Sequence, residues 1–506
     1  FLSDNTITTV GVSGAVAAGF SDASADVTNL DISATSTSAI TFDRKTDTST
    51  DSLTTTVKGA TTASLTASEE ETLTIKSDTA ASTITTLDAA DLTSLTITGG
   101  SNLTVGTVSN ALGFATLDAS AATGAISIAN TANASTTAMT VTAGSGALTV
   151  TTSTAADTVT GGAGADSITS GTGADSIVGA AGNDTIDAGA GNDIVTGGAG
   201  NDSITTGAGD DNVSGGAGND TITIAANYDT NDTIDGGEGT DTLALTGFAG
   251  TTTPSTLTSI ETVEYTTAGA SANTLSLLSA STVTKVTLVD EGADVDNTIS
   301  GFAGGTVVFQ ETENDSLTVD TVDSASLILE VKADTAGGST TITDAVDVTL
   351  KGALNAGDLT ALALDGVDTT SLTINTTDVY DVDTGAVTGT DKLQTITITT
   401  ADAGGDVVTS TFDDASSLTS ISATGIGGDI TTGTIGSGGG TDVAESLATI
   451  TATASAASDI EFGVISGDTS TDSVTDNAMS ITATVTSVTG ADSSSVTFGN
   501  IDNEYG

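Results

Sequence analysis

A nine-residue period between Asp157 and Ala244 constrains the fold of this chain more than any other feature. Each unit reads Gly-Gly-x-Gly-x-Asp, followed by three residues of which the middle one is aliphatic. Aspartates recur every nine residues up to Asp220 and resume, after a twelve-residue step, at Asp232 and Asp241. Eight aspartates in one register exceed what an acidic, glycine-rich composition produces by chance, so the pattern indicates a repeat architecture.

Each unit divides into a turn and a short strand. Glycines permit positive φ and close approach of backbones, so the first six residues predict a turn in which carbonyl groups converge. The last three predict a strand whose middle residue points inward. These middle residues form an aliphatic ladder of Val159, Ile168, Ile177, Ile186, Val195, Ile204, Val213, Ile222, Ile234 and Leu243.

Two units are expected to make one turn of a flattened spiral, because successive strands lie on opposite walls. One edge would then carry Asp166, Asp184, Asp202 and Asp220, and the other Asp157, Asp175, Asp193 and Asp211. Turns of such a stack lie about 4.8 Å apart, so the carboxylates repel one another until a cation lies between them. Oxygen donors without nitrogen or sulfur favour calcium over zinc or copper, and magnesium suits a carbonyl-rich cage less well.

The repeat resembles the RTX (repeats-in-toxin), or hemolysin-type, calcium-binding β-roll, in which this nonapeptide recurs. The resemblance implies several Ca²⁺ ions between turns, held by the position-six carboxylates and by carbonyls of the glycine loops. The metal-binding residues that it implies are Asp157, Gly161, Gly162, Gly164, Asp166, Gly171, Gly173, Asp175, Gly179, Gly182, Asp184, Gly189, Gly191, Asp193, Gly197, Gly198, Gly200, Asp202, Gly207, Gly209, Asp211, Gly215, Gly216, Gly218, Asp220, Asp232, Gly236, Gly237, Gly239 and Asp241.

A few units depart from this pattern. Position one is Ser170, Ala188 or Thr206 in three units, and position two is Ala180 in one. A small residue is compatible with either position if its contribution is a carbonyl. The longer step from 224 to 235 breaks the register, which makes the last two aspartates weaker ligand candidates than the first eight.

The flanking regions carry a looser strand pattern. Short aliphatic–Thr/Ser–aliphatic runs, such as 95–97 and 126–128, alternate with Gly, Asn, Asp or Ala turns. Alternation at period two, few aromatic residues and a single proline favour stacked coils of a parallel solenoid. Antiparallel β-sandwich domains are the alternative for the flanks, since regular short strands are typical of both.

The predicted fold is therefore all-β: an elongated parallel β-solenoid, or β-helix, with a central calcium-binding β-roll. We expect three regions, with solenoid-like flanks at 1–155 and 245–506 and the roll at 156–244. The second flank is subdivided near 425–442, where the run Gly436–Gly440 indicates a flexible turn or linker.

Charge narrows the set of partners. The chain has 66 acidic and 8 basic residues and a formal net charge of −58, which excludes nucleic acid and anionic lipid as direct partners. This charge opposes compaction unless cations neutralise it, although an acidic surface also keeps a protein soluble.

The pair Arg44–Lys45 predicts a solvated turn. No apolar run is long enough for a membrane span, and a start at Phe1 without a basic leader predicts a fragment or processed product.

The residue types argue against an enzyme. With no His and no Cys, the chain cannot form a metalloprotease motif, a Ser–His pair or a cysteine nucleophile. Paired carboxylates can hydrolyse sugars, but the aromatic platforms that usually accompany such sites are scarce.

The Thr/Ser/Ala-rich flanks resemble RTX-bearing S-layer proteins of Gram-negative bacteria, which are exported by type I secretion. That resemblance implies an extracellular, calcium-held homo-oligomeric lattice and calcium-mediated contact with cell-surface polysaccharide or lipopolysaccharide. An RTX adhesin or surface filament without a lattice is the alternative.

Overall fold

The structure is a computed structural model of the 506-residue chain. It describes residues 7–502 apart from residues 14–16, 25, 34–35, 45–46, 49, 110, 130–135, 226–227, 249–250, 253–255, 268–272, 278–281, 291–296, 311–316, 332–337, 353–358, 365–368, 377–381, 401–405, 413–416, 436–446, 456–457, 467–479, 487–493 and 500. The described residues contain strands, turns and bends and no helix. None of them therefore lies in a helix long and apolar enough to cross a membrane.

Short strands of two to nine residues begin the chain, because Thr, Val, Leu and Ile alternate there with small polar residues. The strands before the nonapeptide repeat are β1 Thr9–Val12, β2 Ala18–Ala23, β3 Asn29–Ile32, β4 Ser36–Arg44, β5 Ser52–Val57, β6 Thr61–Thr66, β7 Thr72–Ser77, β8 Ser82–Asp88, β9 Ser94–Thr98, β10 Leu103–Val105, β11 Val108–Ser109, β12 Thr116–Ala119, β13 Ile126–Ala129, β14 Thr140–Ala143 and β15 Leu148–Thr151.

The nonapeptide repeat continues the same arrangement, with strands of alternating length. On one wall they extend into the glycines of the following turn, and on the other they end after three to five residues. These strands and the next few are β16 Thr158–Gly162, β17 Ser167–Thr169, β18 Ser176–Ala181, β19 Thr185–Asp187, β20 Ile194–Ala199, β21 Ser203–Thr205, β22 Asn212–Ala217, β23 Thr221–Ala225, β24 Thr233–Glu238, β25 Thr242–Phe248, β26 Thr251–Thr252 and β27 Thr256–Thr258.

Strands also make up the rest of the described chain. They are β28 Thr262–Thr267, β29 Asn273–Ser276, β30 Lys285–Asp290, β31 Asn297–Phe302, β32 Gly305–Gln310, β33 Leu317–Val331, β34 Gly338–Gly352, β35 Leu359–Leu364, β36 Ser371–Asn375, β37 Val382–Asp383, β38 Ala386–Thr388, β39 Thr395–Thr399, β40 Val407–Phe412, β41 Ser420–Ile426, β42 Ile430–Ile435, β43 Thr449–Ser455, β44 Asp459–Phe462, β45 Ile465–Ser466, β46 Ser480–Thr486, β47 Ser495–Phe498 and β48 Ile501–Asp502.

Contacts divide the chain into two compact units. The first comprises residues 1–243 and 255–260, and the second comprises 244–254 and 261–506. The first unit holds both the N-terminal flank and the roll, because β14 and β15 of the flank pair directly with β16 and β17 of the roll. The three predicted regions therefore stay a prediction, since the contacts join the first two.

The first unit is a two-walled parallel solenoid. One wall is a 13-stranded sheet in the order β1-β3-β5-β7-β9-β12-β14-β16-β18-β20-β22-β24-β27. The facing wall contains the intervening strands, which pair in the same parallel manner, for example β15 with β17 and β17 with β19. The aliphatic ladder of the repeat lies between the walls, and each of its ten residues is at most 1% exposed.

The second unit has the same two-walled construction. One series of parallel pairings runs through β36, β39, β41, β43 and β46, and another through β38, β40, β42, β44 and β47. The 15-residue strands β33 and β34 contribute one half to each series. The pairing of β41 with β43 spans the predicted subdivision near 425–442, of which residues 436–442 lie outside the described residues.

Every strand pairing that the structure describes is parallel. This confirms the predicted all-β parallel solenoid and rules out the β-sandwich alternative for the described flanks, because a sandwich needs antiparallel neighbours.

Candidate metal centre

The nonapeptide loops form two rows, one at each edge of the roll. The first edge is defined by the loops that end at Asp166, Asp184, Asp202, Asp220 and Asp241. The second edge is defined by the loops that end at Asp157, Asp175, Asp193, Asp211 and Asp232. Within the repeat, each strand residue pairs with the residue 18 positions later in the chain. The aspartates of each edge therefore lie on successive turns, as predicted.

One oxygen of each carboxylate joins neighbouring turns. The backbone N–H of Asp166 donates to Oδ1 of Asp184 at 2.7 Å, and the N–H of Asp184 donates to Oδ1 of Asp202 at 2.8 Å. The second edge repeats this bond, for example from the N–H of Asp175 to Oδ1 of Asp193 at 2.8 Å. Each aspartate therefore fixes the turn before it through a charge-assisted hydrogen bond.

The longer step after Asp220 does not interrupt the ladder. The N–H of Asp211 donates to Oδ1 of Asp232, and the N–H of Asp220 donates to Oδ1 of Asp241, both at 2.8 Å. The strands on either side of the longer step pair in register, so Asp232 and Asp241 keep the ladder that the sequence alone left in doubt.

The other carboxylate oxygen is left without a hydrogen bond on most turns. The residues concerned are buried, at most 3% exposed. A buried Oδ2 without a hydrogen-bond partner among the described residues occurs at Asp166, Asp175, Asp184, Asp193, Asp202 and Asp220. A buried carboxylate oxygen without a donor or a cation is strongly unfavourable, so these six atoms indicate ligands of a positive ion.

Glycine makes room for these oxygens on the first edge. A Cβ atom on Gly179 would lie 2.4 Å from Oδ2 of Asp184 and 2.6 Å from the carbonyl oxygen of Gly197. A Cβ atom on Gly197 would likewise lie 2.4 Å from Oδ2 of Asp202 and 2.5 Å from the carbonyl oxygen of Gly215. A carboxylate and a carbonyl of the following turn thus converge over each of these glycines.

Carbonyl groups at position five are also available. Ala165, Asn183, Asn201 and Asn219 occupy this position on the first edge, and no backbone amide of the described residues donates to their carbonyls. The amides that would do so in a regular stack donate to Oδ1 of the next aspartate instead. The aspartate therefore satisfies the amide and leaves a backbone oxygen for a cation.

Burial disfavours the ionised form of these carboxyl groups when no cation is bound. Loss of hydration raises the pKa of Asp193 to about 7 and that of Asp166 and Asp202 to about 6, and stacked neighbouring carboxylates add to the rise. The pKa of Asp175, Asp184, Asp211, Asp220 and Asp232 is raised chiefly by the same loss of hydration.

The aspartates at the two ends of the second edge have more hydrogen-bond donors than the aspartates between them. Asp157 accepts hydrogen bonds from the N–H of Met139 and from the N–H and hydroxyl of Ser153. Asp232 accepts from the N–H groups of Asp211 and Asp229. Both oxygens of these carboxylates have protein donors, so Asp157 and Asp232 close the row and have less need of a cation than the aspartates between them.

Residues 151–186, 187–222 and 228–249 match the family described as the RTX calcium-binding nonapeptide repeat (4 copies). This segment of the chain is similar to RTX calcium-binding repeats. The match covers the roll and not the flanks, and no curated protein and no solved structure matches the chain. We therefore call residues 157–244 the RTX roll.

The residues of the RTX roll fit calcium. All available donors are oxygens, and six of them are buried carboxylate oxygens without a partner in the described structure. No three His, Cys, Asp or Glu side chains meet at one point among the described residues, so a bound cation needs backbone carbonyls as well. A mixed set of carboxylate and carbonyl oxygens is what Ca²⁺ prefers. The bound ion supplies the positive charge that the unpartnered oxygens lack.

The glycines of the RTX roll have one dominant role. Positive φ occurs at position two or four in almost every loop, at Gly162, Gly171, Gly173, Gly182, Gly189, Gly191, Gly198, Gly200, Gly207, Gly209, Gly216, Gly218, Gly237 and Gly239. Among the predicted glycines Gly164 lacks it, and the position-one glycines Gly161, Gly179, Gly197, Gly215 and Gly236 leave room for carboxylates instead. Ala180 adopts φ 81° at position two and pairs in register with Gly162 and Gly198, although this backbone conformation is strained for a residue with a Cβ atom.

The prediction for Arg44 was wrong. Its side chain is only 3% exposed and pairs with Glu70, which is 1% exposed, at 2.6 Å between Nε and Oε1. The guanidinium also donates to the carbonyls of Val27 and Ser52. A solvated turn was inferred from sequence because the acceptors lie on neighbouring turns, which no local pattern reveals; Lys45 lies outside the described residues.

Proposed function

We propose that this chain is a structural protein of the bacterial cell surface, which folds on meeting extracellular calcium and then self-assembles into an S-layer lattice. The observation that carries the proposal is the row of buried, unpartnered carboxylate oxygens in a chain of net charge −58. Calcium binds these oxygens in the folded roll far better than in an unfolded chain, so its binding energy becomes folding energy.

The calcium level outside a cell suits such a switch. Extracellular calcium modules commonly bind at about 10⁻⁴–10⁻³ M, which is above the cytosolic level. The chain therefore stays unfolded and exportable inside the cell and folds outside, in keeping with type I secretion from a Gram-negative bacterium.

The partners we propose are further copies of the same chain, with calcium-mediated contact to cell-surface polysaccharide or lipopolysaccharide. The outward side chains of β19, β21 and β22, which are mainly Thr, Ser, Asn and Asp, support this proposal because they offer polar contacts to another copy of the chain or to a polysaccharide. We propose no catalytic role, since the chain has no His, Cys or Trp and a single Arg.

Electron microscopy of the purified chain tests the lattice. With millimolar calcium we expect regular two-dimensional sheets, which disappear on addition of a chelator. Single particles across a wide range of calcium and protein concentration would contradict the lattice and favour the RTX adhesin or filament without one. A chain that also keeps its full β-sheet circular dichroism in chelator would refute calcium-driven folding as well.

A further inference from the structure

The two edges of the RTX roll differ at position one, the residue five places before each aspartate. Every first-edge loop begins with glycine: Gly161, Gly179, Gly197, Gly215 and Gly236. The second-edge loops that end at Asp157, Asp175, Asp193 and Asp211 begin with Thr152, Ser170, Ala188 and Thr206, whose side chains are fully buried. The structural period of the roll is therefore two nonapeptides, and its two edges are chemically distinct.

On the first edge, position one brings a carbonyl to the carboxylate. A Cβ atom added to Gly197 would lie within 2.5 Å of both Oδ2 of Asp202 and the carbonyl oxygen of Gly215. Gly215 is the position-one residue of the next turn. Oδ2 of Asp202 has no hydrogen-bond partner among the described residues. Two acceptor oxygens that face the same point repel each other, and a cation between them removes the repulsion.

On the second edge, the hydroxyl groups of Thr152 and Ser170 bind the corresponding carbonyls, whereas Ala188 has no hydroxyl group and Thr206 donates to no carbonyl among the described residues. The hydroxyl of Thr152 donates to the carbonyl of Ser170 at 2.9 Å, and the hydroxyl of Ser170 donates to the carbonyl of Ala188 at 2.5 Å. A calcium ion that used either carbonyl would compete with these hydrogen bonds and with the side chain at position one. This row also ends at both sides in the donor-saturated carboxylates of Asp157 and Asp232.

We propose that the RTX roll has two classes of calcium site, with higher affinity along the first edge than along the second, and that the residue at position one sets the class. The inference rests on the proposed calcium-dependent function. Loss of one net hydrogen bond corresponds to about a tenfold change in affinity. The first edge therefore fills at about tenfold lower calcium than the second.

Hydrogen exchange of the full chain, read residue by residue during a calcium titration, tests this order. The N–H groups of Asp166, Asp184 and Asp202 report the first edge, and those of Asp175 and Asp193 report the second. We expect the first group to become protected at about tenfold lower calcium. A common midpoint for both groups would overturn the two classes and leave calcium binding intact, whereas no protection at any calcium level would refute the proposed function itself.

Variants at position one separate the effect of the hydroxyl group from the effect of the Cβ atom. Ser170→Ala removes the hydroxyl that binds the carbonyl of Ala188, and Ser170→Gly also removes the Cβ atom. Isothermal titration should show one second-edge ion moving to the high-affinity class in Ser170→Gly, with a smaller gain in Ser170→Ala. Gly197→Ala, which places a Cβ atom against Asp202, should lose at least one high-affinity ion. If Gly197→Ala does not fold, the two Ser170 variants still test the proposal. An unchanged number of high-affinity calcium ions in both Ser170→Ala and Ser170→Gly would overturn it.

Discussion

The N-terminal flank and the RTX roll use one register position in opposite ways. In the flank, Leu103, Ile126 and Leu148 stack directly on one another, each at most 4% exposed. In the roll the same column continues as Asp166 and Asp184, because the residues that follow Leu148, Asp166 and Asp184 pair in register, Thr149 with Ser167 and Ser167 with Thr185. A hydrophobic column thus becomes a carboxylate column without a break in the stack.

The hydrogen bonds change with the side chain. The N–H of Leu103 donates to the carbonyl of Ala125, and the N–H of Ile126 donates to the carbonyl of Ala147. From Leu148 onward the corresponding N–H donates to a carboxylate oxygen of the next turn instead. A turn closed by an aliphatic residue has its hydrogen bonds complete, whereas most turns closed by aspartate keep one buried carboxylate oxygen without a partner among the described residues.

Arg44 gives the N-terminal flank a cation of its own. Its guanidinium is held by backbone carbonyls and by the carboxylate of Glu70, which are the same kinds of oxygen that we expect to hold calcium in the roll. The positive charge of Arg44 belongs to the chain itself, whereas we expect the roll to take its positive charge from ions in solution. This difference predicts which part of the chain depends on calcium.

Removal of calcium has the largest expected effect. In chelator at neutral pH we expect the amides of residues 158–243 to exchange rapidly and the amides of residues 72–105 to stay protected, because only the former depend on buried carboxylates. Hydrogen exchange with mass spectrometry measures both regions in one sample. Equal loss of protection in the two regions would remove the distinction between flank and roll.

The calcium-free roll should be more stable in acid. Burial raises the folded-state pKa of Asp166 and Asp202 from the ordinary 3.8 to about 6 and that of Asp193 to about 7. Their protonation therefore favours the folded state: the stabilisation is complete below pH 3.8 and is lost as pH rises through 6 to 7. Circular dichroism of calcium-depleted protein should show more β-structure at pH 5 than at pH 8, and calcium affinity should rise over the same interval. The reverse order at pH 5 and pH 8 would show that the carboxylates are hydrated in the calcium-free state.

Substitution of Arg44 should destabilise the flank alone. Arg44→Met leaves Glu70 buried without its partner, which costs about 3–5 kcal/mol. We expect faster exchange in Asn29–Ile32 and Ser52–Val57 and unchanged calcium stoichiometry. Lys58→Met is the matched control, because the Lys58–Asp31 pair is well exposed and contributes about 1 kcal/mol or less. Loss of bound calcium in Arg44→Met would show that the flank and the roll do not fold independently.

Substitution of Asp166 tests whether the calcium-independent stack of the flank can be extended by one turn into the roll. Asp166→Leu extends the Leu103–Ile126–Leu148 column by one turn, and a buried leucine stabilises by about 2 kcal/mol. Calcium-free Asp166→Leu should therefore unfold at higher denaturant than the wild type, while its calcium stoichiometry falls by at least one. Asp166→Ala should lose the ion without that gain.

Two further alanine variants, Asp184→Ala and Asp202→Ala, should likewise lose calcium and loosen adjacent turns, whereas Asp43→Ala, outside the roll, should not. Equal stoichiometry in all of these variants would place the ions elsewhere.

The smallest expected effect is at Ala180. A Cβ atom at φ 81° is strained, so Ala180→Gly should stabilise the calcium-bound roll by about 1 kcal/mol. Ala181→Gly is the control; position 181 has no positive φ, and the extra backbone freedom should destabilise by about 0.5–1 kcal/mol. Equal shifts in thermal unfolding for both variants would show that position two carries no strain.

The sequence predicts much of this structure because its repeat is local. The inward aliphatic ladder, the two edges and their aspartates follow from period two within strands and period nine along the chain. The choice between solenoid and sandwich for the flanks did not follow, because short alternating strands are common to both and only the parallel pairing distinguishes them. The burial of Arg44 is equally invisible, since its partners lie on other turns.

The non-equivalence of the edges was visible in the sequence and was missed. Position one alternates between glycine and Ser170, Ala188 or Thr206, which is a period of two nonapeptides. Its meaning depends on where the hydroxyls point, and only the structure shows that Thr152 and Ser170 donate along the stack. The ladder end at Asp232 and Asp241 was also a matter of register, because β22 and β24 pair in register across the longer step.

The amide-to-carboxylate bond between successive turns couples each site to its immediate neighbours and to no others. A calcium ion that orders one turn fixes the acceptor for the turn before it, so binding at one site prepares the next in the manner of a one-dimensional cooperative lattice. The steepness of the response to calcium is then a property of length. A roll of many short, nearly identical turns responds over a narrower concentration range than any single site, and deletion of whole 18-residue turns broadens that range without changing the chemistry of a site.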